Sequence, residues 1–120
     1  MEKFGNSNEF YDEKEKIVFL NDSLRKTFNK SFGQVYITQG VNQLQRDEIT
    51  QIAMAVQHFD DFTPENDPYG EHDQGIVIVK GSSYYWKIDY YDNDLQYHSS
   101  DKSDPDLTKR ILTIMTPNEY

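Results

Sequence analysis

The 120-residue chain suits a single domain with a core of ordinary size, and its lack of cysteine excludes disulfides, thiolate chemistry and cysteine-ligated zinc. Its net charge of −9 is unevenly spread: residues 1–59 carry eight acids and seven bases, and residues 60–106 carry twelve acids and three bases. A field this lopsided disfavours direct nucleic-acid binding and favours a basic partner or a cation.

Residues 1–11 mix Gly, Asn and Ser with isolated aromatics and read as a flexible tail, pinned at Phe10, ahead of a single domain over 12–120. The first five residues hold no apolar signal core. No apolar run approaches the roughly 18 residues of a membrane span, so a cytoplasmic protein is expected. A helix is predicted over residues 12–30, with Ile17, Leu20, Leu24 and Phe28 as its apolar stripe and Gly33 as its stop. Acids open it and bases close it, as the helix dipole favours. Residues 34–38 predict a short β-branched strand, after which Gly40 turns the chain. A second helix follows over residues 45–58, with Ile49, Ile52, Ala53 and Val56 inward. Both helices read as scaffold without a constellation of ionisable groups.

Residues 59–73 form a loop rich in proline, aspartate and glutamate, which must lie against something else to be ordered. Within it, Asp67 before Pro68 and a positive φ at Gly70 predict a sharp turn. A hairpin follows, with Ile76–Val79 and Tyr84–Ile88 flanking Lys80-Gly81-Ser82-Ser83. A turn at Gly81-Ser82 would pair Val77 with Trp86, Gln74 with Asp89 and His72 with Tyr91. Alternation then places Val77, Val79, Tyr84, Trp86, Ile88 and Tyr90 toward the helices, and His72, Gln74, Lys87, Asp89 and Tyr91 on the open face. A second acidic loop spans 92–106. Thr and Ile enrichment over 107–115 favours a last strand beside the hairpin, with a short helix as the rival.

The signature Phe59-Asp60-x-Phe62-Thr63-Pro64-x-Asn66-Asp67-Pro68-x-Gly70-Glu71-His72-Asp73, with Trp86-Lys87-Ile88-Asp89-Tyr90-Tyr91-Asp92 and Leu112-Thr113-Ile114-Met115, resembles a small bacterial family of unknown function. The resemblance runs from about Ile17 to Tyr120 and departs from the family at Gln74, where an aromatic is common. It implies a mobile-element setting and supplies no catalytic residue.

Glu71, His72 and Asp73 with Asp89 and Asp92 are the acid–base or metal candidates, since imidazole and carboxylates suit a divalent cation. Successive strand residues diverge, however, and the opposing reading has His72 and Asp89 satisfying loop backbone groups. Lys87 beside Asp89 is either a polar catalytic pair or a plain surface ion pair. No nucleophile elbow or phosphate-cradling loop is present. The fold expected is α+β: two helices on one face of a small, mainly antiparallel sheet of three or four strands. The leading function is a non-enzymatic acidic binding protein without cofactor, occupying a basic site on a nucleic-acid-processing defence protein, of anti-restriction or anti-CRISPR type. Its binding residues would be Asp60, Asp61, Glu65, Asp67, Tyr69, Glu71, His72, Asp73, Lys87, Asp89, Tyr91 and Asp92. The alternative is a metal-assisted hydrolase centred on His72, Glu71 and Asp89.

Overall fold

A computed structural model describes residues 12–120; the expected tail and its pin at Phe10 lie outside the described residues. Helix α1 (Glu13–Thr27) begins at a capping box, in which the Asp12 carboxylate accepts the Glu15 N–H at 2.8 Å and Glu15 reaches back to the Asp12 N–H. It ends earlier than the sequence predicts. Phe28 takes the left-handed conformation and its N–H bonds the Leu24 carbonyl, so Phe28 rather than Gly33 closes the helix.

Strand β1 (Gln34–Ile37) leads into a single helical turn, α2 (Gln39–Asn42), where only a bend at Gly40 is expected from sequence. Helix α3 (Arg46–Gln57) then buries Ile52 and Val56, with Ile49 packed at the core margin. Strands β2 (Gln74–Val79), β3 (Ser82–Tyr91) and β4 (Lys109–Met115) follow, and a short 3-10 helix (Pro117–Glu119) closes the described chain. The segment around 107–115 is therefore a strand, not the rival helix. No described helix is long and apolar enough to cross a membrane.

The sheet order is β1-β4-β3-β2, with β4 antiparallel to β3 and parallel to β1. The architecture is α+β with a mostly antiparallel sheet. The hairpin turn falls one residue earlier than expected: Lys80 and Gly81 both adopt positive φ, which fits the right-handed twist of the strands. The register consequently moves to Val77 opposite Tyr84, Gly75 opposite Trp86 and Gln74 opposite Lys87. The shift is by an even step, so the faces survive. Val77, Val79, Tyr84, Trp86 and Ile88 are buried on the inner face with Leu112 and Ile114.

Trp86 is the largest buried side chain. Phe59 and Phe62 meet it edge-on, at centroid distances of 5.6 and 6.3 Å. This contact fixes both ends of the segment joining α3 to the acidic loop. Gly75, directly opposite Trp86 in the ladder, makes the close approach possible: a Cβ there would lie 2.6 Å from the indole nitrogen and 2.9 Å from Phe59. Gly75→Ala is expected to lower unfolding free energy by about 1–3 kcal/mol, the usual cost of overpacking. Urea denaturation followed by the fluorescence of Trp86 reads the shift, and an unmoved midpoint would contradict this packing.

Candidate functional site

The acidic loop over 59–73 is anchored by α1. Asp67 is buried, and its carboxylate accepts the backbone N–H groups of Glu71 and His72 at 3.0 and 3.2 Å, while the Gly70 N–H bonds the Asp67 carbonyl. The predicted turn is thus present, with φ +67 at Gly70. Its chief acid serves as the turn's internal brace. The two bonds also hold His72 at φ +59, a conformation that costs a non-glycine residue of order 1 kcal/mol.

From that position the imidazole turns away from the sheet. His72 Nδ1 lies 3.0 Å from an oxygen of Asp22 on α1, and the ring stacks on Phe62 at 3.8 Å with planes 3° apart. Asp22 simultaneously pairs with Arg25 at 3.0 Å. The Arg25 guanidinium is buried and donates to the carbonyls of Val56, Gln57 and Phe59 at the end of α3. It also lies 5.4 Å from the ring centroids of both Phe62 and Trp86.

A second network runs beside the first. Fully buried Asn21 donates to the Glu71 carbonyl and the Tyr90 hydroxyl, and accepts from Arg110 Nε at 2.8 Å. The Tyr90 hydroxyl donates to Asp73 at 3.0 Å. Burial, with Asp73 next in weight, pushes the Tyr90 phenol far above its usual range, and burial raises the Asp73 carboxyl despite that hydrogen bond. Lys102, from the second loop, bonds Glu71 at 2.8 Å and lies over the Tyr90 ring. The two acidic loops are thereby tied together across Glu71.

These geometries redistribute the sequence-derived candidates. His72 does not sit opposite Tyr91 on the open face; the left-handed turn places it before β2 begins and directs it at α1. Asp67, with Thr63, Asn66 and Gln74, and not His72 or Asp89, satisfies the loop's backbone groups. Asp89 pairs with Lys87 at 3.2 Å, the plain surface ion pair. His72, Glu71 and Asp89 therefore have three different partners. Among the described residues no group of three or more His, Asp or Glu side chains is placed to hold a metal ion.

Asp92 accepts the N–H groups of Asp94 and Gln96 within its own turn, and Tyr91 stacks on His98 at 6.5 Å. Asp60, Asp61, Glu65 and Tyr69 remain exposed. The open face is not acidic: Ile76, Ile78 and Tyr85 share it with the Lys87–Asp89 pair, so the unbalanced charge lies on the loops. The sequence reading missed Asn21, Asp22, Arg25, Lys102 and Arg110. Asn21 alone carried a visible signal, a polar residue within the stripe of Ile17, Leu24 and Phe28.

The fold and these contacts define a small α+β protein whose acidic loops are braced from within by one helix. The chain belongs to the family described as Protein of unknown function (DUF3768), which matches residues 37–119. The match begins after α1, the helix supplying Asn21, Asp22 and Arg25. No curated protein and no solved structure matches the chain.

The raised Asp73 carboxyl has a definite pH signature. A folded-state value above the unfolded one means that the charged form costs stability, and the cost is relieved as pH falls through the raised value. Asp73→Asn keeps an acceptor for Tyr90 and removes the charge. It is expected to be at least as stable as wild type at pH 7, with its advantage shrinking as the medium is acidified. Thermal melts over a pH series measure this, and a large loss at pH 7 that disappears on acidification would show that the charge itself is needed.

Proposed function

We propose that this protein is a non-enzymatic binding protein that uses the exposed rim of its two acidic loops to occupy a basic site on another protein. The observation that carries this reading is the division of labour among its acids. Asp67, Asp73, Glu71 and Asp92 are committed to internal bonds, while Asp60, Asp61 and Glu65 point outward from the same braced frame. Tyr69 on the first loop is 77% exposed and Tyr97 on the second is 73% exposed. Exposed tyrosine supplies rigid contact area at low entropic cost, and carboxylates beside it supply steering and discrimination.

Bracing matters because a loop already held in its bound shape loses less entropy on docking. A basic cleft that normally holds a nucleic-acid backbone is a natural complement to such a rim. The finer form of the proposal is an inhibitor of a nucleic-acid-processing defence enzyme, of anti-restriction or anti-CRISPR type. It draws on the mobile-element setting that the family resemblance implies.

The test compares wild type with an Asp60→Asn, Asp61→Asn, Glu65→Gln variant as baits in a bacterial lysate. Expected is a basic nucleic-acid-processing protein held by wild type, released by added salt and at least about tenfold weaker on the variant. Identical recovery by both baits, or an affinity indifferent to salt, would overturn the rim as the binding surface. Far-UV circular dichroism confirms that the substituted surface acids leave the fold intact.

A further inference from the structure

We infer that β2 is a self-pairing edge, through which two copies of this chain join their sheets antiparallel about a two-fold axis at Val77. The inference is independent of the acidic rim and uses other residues. In the sheet order β2 has a neighbour on one side only. The Ile88 N–H bonds the Asp73 carbonyl at 2.8 Å, which sets the phase of the ladder: Asp73, Gly75, Val77 and Val79 use their backbone groups on β3. The N–H and C=O groups of Gln74, Ile76 and Ile78 therefore point outward. Among the described residues no backbone hydrogen bond reaches them from beyond β3.

Natural edges are usually protected by proline, an inward charge, a bulge or a covering loop. From Gln74 to Val79 this strand has no charge and no proline. Only its Gln74 end is covered, where the side chain donates to the Asn66 carbonyl at 3.0 Å. Ile78 is 71% exposed and Ile76 46% exposed, both on the open face.

Three features favour a second copy as the occupant. With the axis at Val77, each Ile76 lies opposite the Ile78 of the second copy, so all four isoleucines are matched on one face. The outward backbone groups of those same residues then pair with one another, and the covered Gln74 end is not needed. Antiparallel pairing about this axis also sets each Lys80, whose ammonium is half-exposed and has only a 3.6 Å contact to Asp47, opposite the uncharged Gln74 of the other copy, whereas an in-register parallel pair would place the two ammonium groups side by side.

Because each chain carries −9 overall, long-range repulsion opposes the pair and salt relieves it. Association should therefore strengthen with salt, the reverse of the rim's response to a basic partner.

Sedimentation equilibrium over a range of protein and NaCl concentrations tests this with the full chain. Expected is a monomer–dimer equilibrium that moves toward dimer with added salt. Ile78→Lys, at an exposed position that leaves circular dichroism unchanged, should weaken it by at least about tenfold. Tyr36→Lys, on the exposed face of β1 at the opposite edge of the sheet, should dimerise as wild type does. A wild-type monomer at every concentration and salt level overturns the inference and leaves the edge to a strand from a different protein. A dimer that Ile78→Lys leaves unchanged, or one that Tyr36→Lys abolishes, overturns it in favour of another surface.

Discussion

The Arg25 guanidinium is the contact on which the remaining structure depends. A buried cation costs several kcal/mol unless its surroundings replace the lost water. Here the carbonyls of Val56, Gln57 and Phe59 supply the negative end of the α3 dipole, and Asp22 supplies a formal charge. Phe62 and Trp86 complete the cage with their ring faces. One side chain thus joins α1 to α3, to the start of the acidic loop and to the central tryptophan of the sheet. Its Nε and the Trp86 indole N–H are the two buried side-chain donors left without an acceptor among the described residues. Both lie within the aromatic packing of Phe59, Phe62 and Trp86.

What lies downstream of that contact is a loop shaped jointly by its own Asp67 and by residues of α1. Asp22 is shared between Arg25 and His72, so the same carboxylate that neutralises the buried cation also positions the imidazole. Asn21, adjacent in the helix, couples the Glu71 backbone to Tyr90 and Arg110. Two neighbouring helical residues therefore transmit the position of α1 to both acidic loops. The acids divide accordingly into those that build the frame and those that face outward from it, a distinction that net charge cannot express.

Much of the fold was legible because it follows from periodicity. The alternation from Tyr84 to Ile88 identifies the buried face of β3 whatever the turn, and the Thr and Ile content of 107–115 identifies β4. The turn was misplaced because Lys80, rather than a residue that favours positive φ, occupies its first corner. The α2 turn was missed because a glycine suggested a bend where Glu119, distant in sequence, accepts the Gly40 N–H and holds a helical turn. The internal networks were illegible for a similar reason. Asp22, Arg25, Lys102 and Arg110 are ordinary surface residues by composition, and only the tertiary arrangement reveals that their partners come from other elements. Asn21 was the exception, since an amide within an apolar stripe must find partners inside the protein.

The position of β4 in the sheet bears on how the molecule comes into being. It is the last of the four strands in sequence, yet it lies between β1 and β3 and supplies Arg110, Leu112 and Ile114 to the interior. A growing chain can close the β2–β3 hairpin locally, but β1 has no partner until β4 has been made. Until β4 is made, β1 and, once it has been synthesised, the β4-facing side of β3 are open edges carrying apolar side chains. These edges stay open to misassociation until β4, made last of the four, inserts into the middle of the sheet.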